Sequence, residues 1–144
     1  MKISLASDHA GYKYKELIKT YLSEKGFEVI DHGTFSFESV DYPDFIQKAA
    51  IEVSKKNCEF GIGVCGSGIG VSIVANKIKN VRAALVMNEK MAELSRQHNN
   101  SNFLALGERF LNEKNLYSIV DIWLNTNFEG GRHERRVNKI QEIF

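Results

Sequence analysis

Residues 60–76 read "FGIGVCGSGIGVSIVAN". An apolar run ends at Cys65, a turn carrying Gly66, Gly68 and Gly70 follows, and an apolar helical stretch begins at once. A strand that hands over to a helix through a glycine turn is half of a β-α-β unit. Here the residue at the handover is a thiol.

The same alternation extends in both directions. "KISLAS" (2–7) reads as a buried strand, and "GYKYKELIKTYLSEKG" places Tyr14, Leu17, Ile18, Tyr21 and Leu22 at helical spacing. Gly26 ends that helix, and "FEVIDHG" (27–33) is a second strand. In "DYPDFIQKAAIEVSKKN" (41–57) the only proline, Pro43, suits the first turn of a helix, where a missing N–H costs little. "VSIVANKI" (71–78) follows the glycine turn as a helix. "VRAALVM" (81–87) and "NFLALG" (102–107) are strands around the helix "EKMAELSRQHN" (89–99). "LYSIVDIWLNT" (116–126) and "RHERRVNKIQEIF" (132–144) close the chain as helices, separated by the hinge-like "NFEGG". Five strand–helix units in sequence imply parallel strands, because parallel neighbours need crossovers of this length. The expected fold is α/β: a three-layer α/β/α sandwich around a five-stranded parallel, Rossmann-like sheet.

The bulk composition agrees. The 144 residues are enough for one domain with a sizeable core, without disulfides or a structural metal. Hydrophobic residues make up 43% and charged residues 26%, and the formal charge is +1. That balance gives no global attraction to nucleic acid or to an anionic membrane. No run approaches transmembrane length, and "MKISLASDHAG" lacks the apolar core of a signal peptide. Cys58 and Cys65 show no C-x-x-C or zinc spacing. The expectation is a cytoplasmic protein with reduced thiols, and no repeat or linker divides it.

In sheets of this kind ligands bind beyond the carboxyl ends of the strands, where the winding direction reverses. Strand one is followed by Asp8 and His9, and strand three by Cys65, Gly66, Ser67, Gly68, Ile69 and Gly70. The fourth helix runs into His98 and Asn99, and strand five into Arg109. If strands one and three are neighbours, the Asp8-His9 and Cys65 turns face one crevice. The glycine turn is spaced G-x-G-x-G, with Val71 where a dinucleotide fingerprint has its third glycine, and no G-K-[ST] follows. Two readings remain: a plain tight turn, or a nest of backbone N–H groups for an anion or a developing oxyanion.

Cys58 reads as an inert small hydrophobe. Cys65 precedes a helix N-terminus, where the dipole and free N–H groups favour a thiolate. It could serve as nucleophile or general base, and the spacing alone assigns neither role. His32 reads as a solvated or satisfied residue, and His133 as part of a solvated helix face. His9 and His98 fall at turns on the ligand side, where imidazole can move protons. Arg132 and Arg136 stand four apart, so one helical face offers two guanidinium forks to a phosphate or carboxylate, or else is a solvated basic helix end. Together these parts suit proton abstraction beside a carbonyl in a small phosphorylated substrate.

"SDHAG", "DYPD", "CGSGIGVSIVANK", "RQHNNSN", "LALGERF" and "FEGGRHERRV", in this order, resemble the ribose-5-phosphate isomerase B family, which includes the galactose-6-phosphate isomerase subunits. The resemblance covers nearly the whole chain. It implies interconversion of ribose 5-phosphate and ribulose 5-phosphate, with no metal or organic cofactor. It implies that Cys65 moves a proton between C1 and C2 through an enediolate, whose oxygens the Gly66-Ser67-Gly68-Ile69-Gly70 turn holds. His98 would protonate the ring oxygen and open the furanose. Asp8 and His9 would contact the sugar or its phosphate end, Asn99 the sugar, and Arg109, Arg132 and Arg136 the substrate, the last two chiefly its phosphate.

The family's site lies between subunits, which implies a homodimer that mixes residues of both copies and that the helix from about 131 to 144 helps to build. Whether dimers pair into tetramers stays open. Many members have threonine at the position of Ser67, and the hydroxyl survives the change. One branch uses a glutamate just after the turn as its base; Val71 stands there, which leaves Cys65. A hexose 6-phosphate such as allose or galactose 6-phosphate is the alternative substrate. A non-catalytic sugar-phosphate-binding protein would bind phosphate through Arg132 and Arg136 and would not need Cys65.

Overall fold

Alternation along three apolar strands builds the layers. The computed structural model describes residues 1–143, and its sheet is wholly parallel, in the order β2-β1-β3-β5-β4. The strands are β1 (Lys2–Ser7), β2 (Glu28–Asp31), β3 (Phe60–Cys65), β4 (Ala83–Leu85) and β5 (Phe103–Gly107). The helices are α1 (Tyr12–Glu24), α2 (Tyr42–Ser54), α3 (Ile69–Asn76), α4 (Glu89–Gln97), α5 (Glu113–Asn125) and α6 (Arg132–Gln141). Phe144, which the sequence places at the end of the last helix, lies outside the described residues. None of the described helices is long and apolar enough to cross a membrane.

Successive side chains of a strand point to opposite faces. Ile3, Leu5, Ile62, Val64, Leu104 and Leu106 therefore join α1 and α5 in one core, through Ile18, Leu22, Leu116, Ile119 and Trp123. Ala6, Cys65, Phe103 and Ala105 join α2 and α3 in the other, through Ile46, Ala49, Ala50, Val71 and Ala75. Burial on both faces explains why the central strands read as unbroken apolar runs. The glycines of β3 make room on the second face: a Cβ on Gly61 would sit 2.5 Å from the Phe103 ring. Polar atoms inside these layers are mostly bonded. Ser4 Oγ donates to the Ala49 carbonyl at 2.8 Å, and Trp123 Nε1 donates to Ser101 Oγ at 2.8 Å.

Among the described residues one charged side chain is wholly enclosed. Lys15 on α1 has no exposed side-chain surface, and its Nζ lies 2.7 Å from Asp31 Oδ2 at the end of β2. Lys19 reaches the same oxygen at 3.1 Å, and Gly33 N–H donates to Asp31 Oδ1 at 2.9 Å. Phe35 covers the ammonium at 4.9 Å from its ring centre.

The element boundaries differ from the sequence reading for local reasons. β4 is three residues long because it pairs with β5 alone, and Asn102 Oδ1 accepts the Arg82 N–H at 2.7 Å just before it. β2 stops at Asp31 where Gly33 turns to φ +92°, although His32 N–H still reaches the Leu5 carbonyl at 2.8 Å. α3 starts two residues early, directly after Gly68. α5 starts at Glu113 because the Asn112 side chain accepts the Asn115 N–H at 2.8 Å and caps it. Pro43 falls in the first turn of α2, as its missing N–H requires.

Candidate active site

The sheet order puts the reversal of winding between β1 and β3, whose registers align Ser7 with Val64. The turns after these two strands therefore share one crevice, with the end of β5 on its far side, where Cys65 pairs with Gly107. A cleft of about 450 Å³ opens there, lined by Asp8, His9, Tyr42, Cys65, Ser67 and Arg109 among others. A larger cleft of about 540 Å³ runs beside the edge strand β4, mostly apolar, with Arg82 its single charged lining residue. Size does not identify the chemistry; the smaller cleft holds the titratable groups.

Cys65 ends β3 on the face toward α2 and α3, and only 5% of it is exposed. Gly68 N–H points at its sulfur, at 3.1 Å from Sγ. Gly68 has φ +77° and stands at the N-terminus of α3, so the first free N–H groups of that helix gather around the turn. Ile69 N–H donates to Ser67 Oγ at 3.2 Å. Arg109 N–H donates to the Gly66 carbonyl at 3.0 Å, and its guanidinium lies over Gly66, where a Cβ would sit 2.8 Å from Cζ. The turn thus places a thiol, a hydroxyl, backbone donors and a guanidinium around one space.

The β1 turn supplies the opposite wall. Asp8 is buried, and its Oδ1 accepts the Gly11 N–H at 3.1 Å, which caps the short 3-10 turn His9–Gly11 and leaves Oδ2 outside that cap. His9 Nδ1 accepts the Val40 N–H at 3.1 Å, so the neutral ring carries its proton on Nε2. Beside Arg109, burial pushes the Glu108 carboxyl up, although Tyr14 N–H donates to it at 2.8 Å.

The structure gathers Asp8, His9, Cys65, the Gly66–Gly70 turn and Arg109 as the strand-end argument expects. His98, Asn99, Arg132 and Arg136 do not line that cleft. Asn99 is on the larger one, and Arg132 and Arg136 are exposed on α6 with no ion pair among the described residues. His98 caps α4 and stacks on His133, ring centres 4.3 Å apart and planes 9° from parallel. His133 is therefore not on a solvated face: its side chain is 12% exposed. Burial first, then the His98 imidazole and the guanidiniums of Arg132 and Arg136, hold its pKa below the ordinary histidine range. His32 differs too, since its Nε2 is buried without a hydrogen-bond partner, as is Ser7 Oγ. Cys58 behaves as the inert thiol expected, with burial pushing it up, helped by Glu52.

Sequence reasoning missed three lining residues, Ala10, Ile73 and the aromatic Tyr42. The Tyr42 ring lies against Gly70, where a Cβ would come within 2.7 Å. Its signals were the "DYPD" motif and an aromatic beside Pro43, and both read equally well as the start of a helix.

The geometry predicts a sensitive backbone position. Gly68→Ala would force a side chain into the left-handed region, with its Cβ 2.6 Å from Leu85 Cδ1 and 2.8 Å from the Leu106 carbonyl carbon. The strain alone costs about 1–3 kcal/mol. Urea denaturation should show that loss, and turnover should fall further because the N–H aimed at Cys65 moves. Wild-type stability in the variant would mean that the turn is slack.

Comparison with known proteins fits this geometry. The family described as Ribose/Galactose Isomerase matches residues 3–140. Ribose-5-phosphate isomerase B of Escherichia coli is 44% identical over 142 residues, 99% of this chain and 95% of that one. The solved structure of Clostridium thermocellum ribose-5-phosphate isomerase B superposes with a TM-score of 0.98 at 52% identity, covering 99% of this chain and 97% of that one. Ribose-5-phosphate isomerase B from Mycoplasma genitalium, solved with bound ribulose 5-phosphate, gives a TM-score of 0.96 at 46% identity over 99% and 95% of the two chains. With the family model matched from residue 3 to residue 140 and these relatives at 44–52% identity over nearly the whole chain, the chain belongs to the ribose/galactose isomerase family.

Proposed function

We propose that the protein is an aldose–ketose isomerase that interconverts ribose 5-phosphate and ribulose 5-phosphate by proton transfer on Cys65. The observation that carries the reading is the Cys65 sulfur, held at a helix N-terminus with the Gly68 N–H aimed at it and Asp8, His9 and Arg109 in the same cleft. The relative with bound ribulose 5-phosphate supports the pentose phosphate as substrate.

In this mechanism the Cys65 thiolate removes the proton from C2 of the open-chain aldose, which leaves an enediolate. The O2 hydroxyl proton passes to O1, the same thiol returns the abstracted proton to C1, and the ketose results. Charge develops on the enediolate oxygens beside the Gly66–Gly70 turn, where preorganised N–H groups and the Ser67 hydroxyl cost no reorganisation. His98 gives a proton to the ring oxygen to open the furanose. Asp8 and His9 hold the sugar or its phosphate end, Asn99 and Arg109 hold the sugar, and Arg132 and Arg136 take the phosphate with their paired forks.

His98, Asn99, Arg132 and Arg136 lie outside the Cys65 cleft of their own chain, which supports a site completed by a second copy. Exposed Ile69, Ile73, Met91 and Ile140 give such a homodimer apolar surface, and α6 would carry the arginines across to the partner. A cytoplasmic setting and a place in pentose phosphate metabolism are consistent with the reduced thiol and the substrate.

Purified protein should form ketose from ribose 5-phosphate with EDTA present. Allose 6-phosphate and galactose 6-phosphate, run in parallel, should be poorer substrates. Turnover of a hexose phosphate in place of the pentose would keep the chemistry and change the substrate. Inertness toward all three, with phosphate still bound, would favour a binding protein.

A further inference from the structure

We infer that His98, Glu129 and His133 form a binding site for a divalent transition-metal ion of the zinc type, and that an ion held there stops the isomerase. The binding rests on geometry alone, whereas the inhibition rests on the function proposed above. One ligand atom from each of the three residues lies within 4.8 Å of the other two. Glu129 Oε1 stands 3.4 Å from His98 Nε2 and 3.7 Å from His133 Nε2. Zinc–ligand bonds of about 2.0–2.1 Å at tetrahedral angles put neighbouring donors about 3.3–3.4 Å apart. The donor spacing matches that set, and because an imidazole binds through the lone pair in its ring plane, the His98 and His133 rings must turn out of their parallel stack for both Nε2 atoms to face one ion.

Three backbone anchors hold the donors in place. His98 caps α4, its N–H bonded to the Leu94 carbonyl at 2.9 Å. Glu129 N–H donates to the Gln97 carbonyl at 3.0 Å, which ties the loop before α6 to the end of α4. His133 sits in the first turn of α6, its N–H bonded to the Gly130 carbonyl at 3.1 Å. His98 and Glu129 are 39% and 50% exposed, so an ion can reach them from solvent.

The donor set selects the metal. Two imidazoles and one carboxylate suit zinc, cobalt or nickel, whereas calcium and magnesium prefer oxygen alone. Three protein ligands leave a position for water or a substrate oxygen. The guanidiniums of Arg132 and Arg136 oppose the charge of the ion, and the Glu129 carboxylate offsets them. An ion on Nε2 holds the His98 ring that the proposed ring opening uses, so metal and turnover compete for one side chain.

Cobalt(II) titrated into the full chain, followed by its visible absorption and by equilibrium dialysis, should saturate at one ion per chain. Cys65→Ala should bind it equally well. Glu129→Gln and His133→Gln should each weaken binding at least about tenfold, since loss even of groups that only support a ligand costs 10–100-fold. Where His133→Gln loses the fold with its ring stack, exposed Glu129→Gln carries the test. Zinc should displace cobalt and slow turnover, and EDTA should restore it. Binding that survives Glu129→Gln, that is lost with Cys65, or that is absent at large molar excess overturns the site. Binding lost in Glu129→Gln in a chain without isomerase activity supports the site and removes only its effect on turnover.

Discussion

Cys65→Ala should fold as the wild type does and isomerise ribose 5-phosphate about 10²–10⁴ times more slowly, the span that a positioned general base contributes. At about 1.4 kcal/mol per decade, this is about 3–5 kcal/mol of transition-state stabilisation. The thiol is 5% exposed at the end of β3, and removing its sulfur opens a small space next to Val71, so stability should change little beside activity. The loss should fall on kcat rather than KM, because phosphate and sugar contacts lie on other residues. Cys65→Ser should be nearly as slow, since a hydroxyl at that position keeps the volume but is a far weaker base. A kcat for Cys65→Ala within tenfold of wild type would assign the proton to another group. Val71 is buried and apolar where a carboxylate base could follow the turn, so the groups next in line would be Asp8 and His9 on the opposite wall of the cleft.

Asp31→Ala should destabilise the protein by about 3–5 kcal/mol, because it strands the Lys15 ammonium in the interior. Total stability of a domain this size is about 5–15 kcal/mol, so the loss is a large fraction. Lys15 has no exposed surface, and after Asp31 its nearest carboxylate is Glu16 at 3.7 Å. Lys15→Met should cost much less, because Asp31 keeps Lys19 and the Gly33 N–H while the buried charge disappears.

The pH dependence has a definite sign. Burial pushes the Asp31 carboxyl up, but the Lys15 bond, the Gly33 N–H and Lys19 outweigh it and hold it below the ordinary carboxylate range. A depressed pKa contributes stability that is present above the unfolded value and is lost as pH falls through the folded one. The gap between wild type and Asp31→Ala should therefore be full at neutral pH and narrow below about pH 4. Urea denaturation at pH 7 and pH 3 measures both values. A neutral-pH loss under about 1 kcal/mol would mean that water reaches Lys15.

The sheet and its layers were legible in the sequence because β1, β3 and β5 are buried on both faces and flanked by glycine or capping residues, so local pattern and tertiary role coincide. The crevice was legible for the same reason: Asp8, Cys65 and Arg109 each follow a strand directly. The partners of His133 were not. Its neighbours along α6 are charged, and that pattern describes a solvated face. The stack on His98 depends on how the Gly130-Gly131 turn folds α6 back against the end of α4, which no local spacing encodes. Lys15 was hidden in a similar way. A lysine one turn from Lys19 on an amphipathic helix reads as surface, and its burial follows from the path of the chain between Asp31 and Phe35. Tyr42 was visible, but a helix start and a wall of the cleft ask for the same residue.

The strand order also has a consequence for biosynthesis. β1, β2 and β3 can assemble with α1 and α2 as soon as the chain through Cys65 has left the ribosome. β4 comes next but pairs only with β5, so it has no place in the sheet until residues 103–107 emerge. Until then the outer edge of β3 stays open, a row of unpaired backbone groups of the kind that recruits other chains. The vulnerable interval in the protein's life is thus the synthesis of roughly the fourty residues between Cys65 and Gly107, and β5, arriving late, shuts the edge of β3 and admits β4 in one event.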